Sequence, residues 1–414
     1  MPQFIRLGFF LAWRQVKRAN KWTTALIVSV MTLTFLNLVV VSGILVGLIE
    51  GAVEANKEYY TSDILISRLE KKDYIEQTPT VLNILNSMPE IENISARYVG
   101  SGRIEANYKT AAKEEEIDSA GASFAGINPL DEEALTGVSQ FIIEGEYLEP
   151  GDYDQIILGA YLLKDYFPVE SSAIQTLSNV QVGDKVRVTI GDIKREMTVK
   201  GILQSKVDEI SYRAYFVDTQ FRDLIGRSDY NVGEISAKLK AGTDPVVVKE
   251  ALLRAGVGEY ARVQTFEDAQ PKFLQDIKDT FALLGNLISS VGLVVASITI
   301  FIVIFINAIT RRKFIGILKG VGVSGKTIEV SYVFQSFFYA LSGSLIGLTI
   351  LYGFLEPLIR EHPINFPFSD GILVAPLDGT LTKIFILVIT TIIAGYIPAR
   401  MIVRKNTLDS ILGR

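Results

Sequence analysis

Four long apolar runs constrain this chain more than any other feature of its sequence. The run from Thr23 to Ile49 contains no charged residue. It exceeds the ~20 residues that a helix needs to cross a bilayer. Comparable runs follow in the last third of the chain. Together they predict four transmembrane spans, at 23–49, 280–309, 328–352 and 380–398. We expect these spans to contain no ionisable residues that would form a polar conduit.

The residues between the first two runs, 50–279, differ in composition and hold most of the acidic residues of the chain. Short alternating segments divided by turn signals predict strands near 63–68, 103–108, 155–158, 185–190, 196–203, 213–217 and 234–239. Helical segments are predicted at 80–87, 160–167 and 245–255. The expected fold class is therefore an α-helical four-span membrane protein with a large mixed α+β domain between spans 1 and 2. Such a domain is long enough to bury its own core.

Basic residues flank the predicted spans unevenly, and this asymmetry predicts the orientation. Residues 1–22 carry Lys and Arg but no acid, and they predict a cytoplasmic amphipathic helix with Trp13 and Trp22 at the membrane interface. The segment 310–327 and the tail 399–414 are also basic, whereas the loop 353–379 carries only Arg360. Both termini and 310–327 are therefore predicted to be cytoplasmic. The domain 50–279, which includes a stalk, and the loop 353–379 are predicted to lie outside.

Residue counts exclude several classes of site. The chain has no Cys and one His, so disulfides are excluded and thiolate or multi-His zinc sites are nearly excluded. The charge run 113–118 and the acidic group 131–133 have no partner that suggests catalysis. We therefore expect no metal site and no catalytic residues. A membrane-anchored enzyme would need a convergent acid–base or nucleophile set within 50–279, and we find none.

The segment Gly320–Thr327 matches the phosphate-binding pattern G-x-x-x-x-G-K-[ST]. A phosphate-binding loop needs a buried strand before it and a sheet with helices on both faces. Here the flanks are two predicted membrane spans, which leave no room for that sheet. We interpret the match as a coincidence of glycines within a short basic helix.

Several segments together resemble one family. They are the stretch from Arg311 to Gly322, the C-terminal pattern of Pro398-Ala399-Arg400 followed by 407–412, and short matches in the outer domain at 124–127, 144–145, 157–163, 182–186 and 199–202. In order and spacing, they make the chain similar to the permease subunits of ABC transporters of the lipoprotein-release and macrolide-exporter type. The C-terminal part of that family is shared with the cell-division permease. The resemblance covers nearly the whole chain.

The resemblance implies that 310–327 is a coupling helix that docks on a separate ATPase subunit. The residues it assigns to this contact are Arg311, Arg312, Ile315, Gly316, Ile317, Leu318, Lys319, Gly320 and Gly322. Exposed Ile315, Ile317 and Leu318 need an apolar partner. Phe314 stands where the family usually has Glu, so an apolar contact is expected in place of a polar one.

The expected function is that of a permease that couples ATP hydrolysis by a partner to movements of its outer domain. No cofactor is expected on this chain, since ATP and Mg belong to the ATPase. The implied partners are an ATPase dimer, a second identical or different permease chain, membrane lipids, and a periplasmic adaptor or lipoprotein, with no nucleic acid. The implied substrate is a lipoprotein, a lipid or a peptide at the plasma (inner) membrane of a bacterium. The alternative is a non-transporting signal transmitter that activates a cell-wall hydrolase.

Overall fold

The computed structural model describes residues 3–112, 117–167, 175–270, 272–366 and 369–404. The predicted pattern at 407–412, most of the predicted tail and part of the charge run 113–118 lie outside these residues. Internal contacts divide the chain into two compact units. We call Met1–Glu50, Gln275–Asn365 and Asp370–Arg414 the helical unit, and Gly51–Leu274 with Phe366–Ser369 the strand-rich unit.

The described residues form α-helices in both units. In chain order they are α1 Gln3–Arg18, α2 Lys21–Leu36, α3 Ser42–Asn56, α4 Thr78–Ser87, α5 Pro129–Thr136, α6 Asp208–Ser211, α7 Asp218–Leu224, α8 Pro245–Arg254, α9 Phe266–Ala269, α10 Lys272–Thr310, α11 Arg312–Gly320, α12 Gly325–Ile350, α13 Glu356–Glu361 and α14 Leu377–Val403. Turns of π-helix at Asn37–Val41, Lys57–Thr61 and Leu351–Leu355 continue some of them.

The strands are β1 Ile64–Ser67, β2 Ile91–Glu105, β3 Ser119–Ile127, β4 Ile142–Gly145, β5 Gln155–Gly159, β6 Lys185–Ile190, β7 Ile193–Leu203, β8 Arg213–Val217, β9 Glu234–Leu239, β10 Arg262–Thr265, β11 Ile364–Phe366 and β12 Ser369–Gly371. Ten of the described strands form one sheet in the order β10-β1-β9-β2-β3-β8-β5-β7-β4, with β6 paired to β2 and β7. β3 and β8 pair in parallel, as do β5 and β7, and the other pairs are antiparallel.

Among the described residues, four helical stretches are long and apolar enough to cross a membrane: Lys21–Thr61, Gln275–Thr310, Gly325–Glu361 and Leu377–Val403. Each contains one of the spans predicted from the sequence. The N-terminal helix is shorter than predicted. It ends at Arg18, and the Asn20 side chain accepts a hydrogen bond from the Trp22 backbone, which starts a new helix. Trp22 therefore belongs to the first turn of a membrane-length helix.

The expectation that the spans contain no ionisable residue is wrong at two positions, Glu329 on α12 and Lys383 on α14. Lys383 lies on α14 inside the predicted span 380–398, and its ammonium donates a hydrogen bond to the Ser42 hydroxyl. Ser42 directly follows the π-helical turn Asn37–Val41. A lysine within six residues of the start of a helix can direct its charge towards the membrane interface. Its position near one end of the helix explains why the span tolerates it.

Small residues allow the helices of the helical unit to approach closely. A Cβ atom added at Gly343 would collide with Met31, and one at Gly347 would collide with Phe35. These two glycines, four residues apart, therefore let α12 pack closely against α2 of the same chain. α1 packs on the same helix α12. The rings of Phe9 and Phe338 lie 5.7 Å apart.

The strand-rich unit forms around an aromatic and aliphatic core beneath the sheet. The Phe216 and Phe221 rings stack at 5.5 Å, and Phe124 lies beside them. Asn128 caps α5, with Pro129 at its first position and Gly137 in the left-handed conformation after its end. This local chemistry explains why a helix starts at the acidic group 131–133.

Two elements of this unit differ from the prediction. The segment 160–167 is not a helix but two short 3₁₀ turns, Ala160–Leu162 and Lys164–Tyr166, because Leu163 pairs with Leu177 between them. The strand predicted at 103–108 is the end of the long strand β2, which begins at Ile91 and stops at Glu105. Pairing with β3, β6 and β9 extends β2 beyond its alternating segment.

Candidate functional site

The segment between α10 and α12 is a short helix between two turns. α10 ends at Thr310, α11 runs from Arg312 to Gly320, and Gly322 turns the chain with a positive φ of 96°. Ser324 then caps α12, and its hydroxyl accepts a hydrogen bond from the Thr327 backbone at 3.3 Å. The phosphate-binding interpretation fails here, because a helix and not a strand precedes the glycine-rich match.

The structure separates the residues that the resemblance assigned to the contact. Ile315 and Gly316 are buried; Arg311, Arg312, Leu318 and Lys319 are half-buried; Ile317, Gly320 and Gly322 are exposed. Ile315 is only 4% exposed, because it packs into the core of the helical unit, and Leu318 packs against that core. The expectation that Ile315 is exposed is therefore wrong, and Leu318 is only partly accessible. A buried aliphatic face holds α11 against the other helices.

A different set of apolar side chains faces outward from this segment. Phe314 is 69% exposed, Ile317 is 52% exposed and Val321 is 81% exposed. Their spacing of three and four residues places them along one side of α11 and its C-cap residue, Val321. We call these three residues the apolar face of α11. Three neighbouring exposed apolar side chains are typical of an interaction surface rather than of an isolated surface residue.

The other side of α11 is tied to the end of α14. The Lys319 ammonium donates a hydrogen bond to the Val403 carbonyl. Gly325, at the start of α12, leaves room for the Val403 side chain, since an added Cβ would lie 3.1 Å from Val403 Cγ1. Ile402 and Val403 belong to the same buried cluster as Ile315. These contacts join α11, α12 and α14 into one packed group.

A second arrangement of charged side chains lies inside the strand-rich unit. Arg97 on β2 is 1% exposed, and its Nε and Nη2 atoms each donate to a carboxylate oxygen of Glu132 at 2.8 Å. Ser95 also donates to that carboxylate, at 2.6 Å. The third guanidinium nitrogen of Arg97 lies 3.4 Å from Glu234 and 3.3 Å from the Ser236 hydroxyl. All three nitrogen atoms of this buried guanidinium thus form hydrogen bonds.

This arrangement also holds Tyr60 in the π-helical turn Lys57–Thr61. Arg213 donates from Nη2 to the Tyr60 hydroxyl at 2.8 Å and from Nη1 to Glu234 at 3.0 Å. The Tyr60 hydroxyl in turn donates to Glu234 at 3.2 Å. The guanidinium carbons of Arg97 and Arg213 lie 5.0 and 5.1 Å from the centre of the Tyr60 ring. We call Tyr60, Arg97, Glu132, Arg213 and Glu234 the buried network.

Burial and neighbouring charges shift the titration of this network. Burial opposes the ionisation of Glu234, but the guanidiniums of Arg213 and Arg97 outweigh it and hold its pKa below the ordinary value. Arg97, Arg213 and Glu234 therefore stay charged, and Arg97 also pairs with Glu132. Through Tyr60, the buried network positions the π-helical turn Lys57–Thr61 on strands β2, β8 and β9.

The buried network is not among the sites predicted from the sequence. A signal was available, because Ser95 and Arg97 on β2, like Glu234 and Ser236 on β9, are polar residues two positions apart that share one face of a strand. The alternation of polar and apolar residues does not predict that β2 and β9 are neighbours in the sheet, or that this face of them is buried. Among the described residues, no group of three His, Asp or Glu side chains is arranged as metal ligands would be.

Comparisons with known proteins find similarity over parts of this chain. Residues 286–407 match the FtsX-like permease C-terminal domain. The chain is 23% identical over 282 residues to an uncharacterised ABC transporter permease of Methanocaldococcus jannaschii, which covers 66% of this chain and 65% of that relative. It is 24% identical over 233 residues to the macrolide export ATP-binding/permease protein MacB of Pasteurella multocida, which covers 54% of this chain and 34% of that protein. The chain thus spans less than two thirds of each of these relatives.

Solved structures also match, at low similarity. The periplasmic region of MacB from Actinobacillus actinomycetemcomitans matches 52% of this chain and 94% of its own length, with 16% identity and a TM-score of 0.36. The extracellular domain of the ABC-type transporter YknZ from Gram-positive bacteria matches 49% of this chain and 99% of its own length, with 12% identity and a TM-score of 0.33.

Proposed function

Because residues 286–407 form an FtsX-like permease C-terminal domain, we propose that this chain is the permease subunit of an ABC transporter and works with a separate ATPase subunit. The observation that carries the proposal is the apolar face of α11. Phe314, Ile317 and Val321 are exposed on a helix whose other side is packed into the helical unit. Such a surface fits an apolar cleft of a partner protein. The basic residues from Arg311 to Lys313 would fix its orientation at the membrane.

In this proposal, α11 receives movement from the ATPase and passes it to the membrane helices. Lys319 and Ile315 bind α11 to the rest of the helical unit. Because a packed helix moves together with its neighbours, a displacement of α11 would be passed on to the membrane helices. The movement reaches the outer domain through the membrane-length helix Lys21–Thr61, whose last turn is held by Tyr60 in the buried network. ATP and Mg are bound by the partner, and this chain supplies no catalytic group.

The working unit in this proposal contains two permease chains and two ATPase subunits in the plasma membrane, with both termini of each chain in the cytoplasm. The strand-rich unit then faces outward and acts on a lipid-linked or amphipathic substrate there. A macrolide export ATP-binding/permease protein, of which this chain covers 34%, supports an amphipathic cargo here. We therefore define the substrate of this chain by its chemistry alone.

The docking proposal predicts that Phe314→Asp and Ile317→Asp separate the permease from its ATPase. A fully buried aromatic or aliphatic side chain contributes ~1.5–3 kcal/mol, and about 1.4 kcal/mol corresponds to tenfold in affinity. Each substitution also places an unpaired charge in the contact. We expect at least a tenfold loss of co-purification and of stimulated ATP hydrolysis in nanodiscs, with normal insertion of the permease.

Two controls make the experiment specific. Lys326→Ala removes an exposed charge next to α11 and should leave the ATPase bound, whereas a purely electrostatic tether would weaken. Ile315→Asp should lower the yield of folded protein, because Ile315 is buried in the helical unit. Normal ATPase binding by both the Phe314 and the Ile317 variants would show that the apolar face of α11 does not dock.

A further inference from the structure

A cavity of about 400 Å³ lies between α1, α11 and α12 within the helical unit. Its volume falls in the range of pockets that hold small amphipathic ligands. Leu11 of α1 and Phe314 and Leu318 of α11 supply apolar wall. Its polar groups come from Gln15, Arg311 and Tyr332. The cavity therefore combines an apolar lining with a few polar groups that converge on it, as ligand sites do.

Two of the polar groups lack a partner within the part of the chain that the structure describes. The Gln15 side-chain oxygen Oε1 is buried and accepts no hydrogen bond there. No described carboxylate lies within 4.0 Å of the Arg311 guanidinium. An unsatisfied buried acceptor and an unpaired cation beside apolar side chains both cost free energy. A ligand with a negative charge and a hydroxyl group would satisfy both.

The location of the cavity indicates where this ligand comes from. Arg311 follows directly on α10, whose stretch Gln275–Thr310 is long and apolar enough to cross a membrane. Tyr332 and Ser331 lie two turns into the membrane-length helix that starts at Gly325. The cavity thus lies near the point where α10 ends and α12 begins, and it extends along α12. An acyl chain from the bilayer can enter such a site beside its own headgroup.

We propose that this cavity is a binding site for an anionic glycerophospholipid with a hydroxyl-bearing headgroup, of the phosphatidylglycerol class. The phosphate accepts hydrogen bonds from Arg311, and a headgroup hydroxyl donates to Gln15 Oε1. The first part of one acyl chain lies against Leu11, Phe314 and Leu318. The bound lipid contacts α1, α11 and α12 at once and so fixes the position of α11. Binding requires only that the chain resides in a membrane, and it is independent of any ATPase partner.

The test is lipid binding by the purified full-length chain, delipidated in detergent and observed by native mass spectrometry. Phosphatidylglycerol should bind at least tenfold more tightly than phosphatidylcholine, which has no net charge and no headgroup hydroxyl. Phosphatidic acid, which has the charge without the glycerol headgroup, should bind with intermediate affinity. Inorganic phosphate at millimolar concentration should not displace the lipid, and full displacement would mean that the site recognises the phosphate group alone.

Substitutions within and outside the cavity locate the site. Arg311→Gln should weaken phosphatidylglycerol binding at least tenfold, and Gln15→Leu should reduce it to the level of phosphatidic acid. Lys326→Gln removes an exposed charge that does not line the cavity, and it should have no effect. Thermal denaturation of each lipid-free variant confirms that it is folded. The Gln15 variant provides a second test if the Arg311 variant does not fold.

Three results would overturn the proposal. Equal binding of phosphatidylglycerol and phosphatidylcholine would show that the cavity does not recognise the headgroup. Equal losses in the Arg311 and Lys326 variants would show that the attraction is a general effect of basic charge. Unchanged lipid binding by Arg311→Gln together with weaker co-purification of an ATPase would show that the cavity receives a protein side chain. If ATPase docking fails while lipid binding persists, the result supports the lipid site and contradicts the proposed function.

Discussion

At the scale of single residues, the buried network is the part of the molecule with the largest electrostatic consequences. Arg97 and Glu132 form a paired, fully hydrogen-bonded contact away from solvent. Removing one partner of such a pair leaves the other charge buried without compensation, which costs about 3–5 kcal/mol. By contrast, Glu196 bonds Lys109 and Lys185, whose side chains are more than half exposed. Exposed pairs of this kind contribute about 0–1 kcal/mol.

This contrast predicts the effect of a matched pair of substitutions. Glu132→Gln should lower the free energy of unfolding of the strand-rich unit by about 3 kcal/mol or more, while Glu196→Gln should change it by less than about 1 kcal/mol. Thermal denaturation of the full-length chain in detergent, followed by circular dichroism, measures both variants against the wild type. Similar melting temperatures for the two variants would contradict the assignment of Glu132 as the buried partner of Arg97.

At the scale of secondary-structure elements, α12 is the helix around which the helical unit packs. α1 lies against it through aromatic rings, α2 through Gly343 and Gly347, and α14 through Gly395, where a Cβ would collide with the Ser336 hydroxyl. Close helix contact in a membrane relies on van der Waals packing and small residues, because apolar surface gains little from leaving a lipid for another apolar surface. The glycines of α12 and α14 therefore contribute more to contact between the helices than the length of the apolar runs does.

The packing of α12 predicts that one added methyl group is harmful at Gly343 and harmless at Gly353. Gly343→Ala forces Met31 and its backbone to move, whereas no atom of the described residues lies within 4 Å of a Cβ at Gly353. Overpacking of this kind costs ~1–3 kcal/mol. We expect a lower melting temperature in detergent for Gly343→Ala, and an unchanged or slightly higher one for Gly353→Ala. A neutral Gly343 variant would mean that α2 and α12 are not in contact at this point.

At the scale of the whole molecule, the distribution of charge predicts which side of the membrane each segment faces. The absence of Cys allows single cysteines to report this directly. Gln175→Cys and Lys240→Cys, both at exposed positions of the strand-rich unit, should react with a membrane-impermeant maleimide on intact cells. Lys326→Cys, exposed beside α11, should react only after the cells are opened. Labelling of Lys326→Cys from outside would reverse the orientation and remove the basis for ATPase docking.

The existence and approximate position of the membrane-length helices follow from sequence alone, because an apolar run long enough to cross a bilayer has few other structures available. The strong alternation at 185–190, 213–217 and 234–239 likewise predicts the strands found there. The family resemblance, stated from 311–322 and scattered matches, is confirmed for residues 286–407.

The tertiary structure decided which side of each element is buried. Ile315 and Ile317 are equally apolar in the sequence, and only packing against α12 and α14 makes one of them core and leaves the other exposed beside Phe314. Arg97, Glu132 and Glu234 are distant in sequence, and their mutual contact depends on strand order and register, which are non-local. Local propensity and periodicity determine elements, because they act within a few residues. The pairing of surfaces depends on contacts between remote segments, and for that reason the apolar face of α11 and the buried network became visible only in the folded chain.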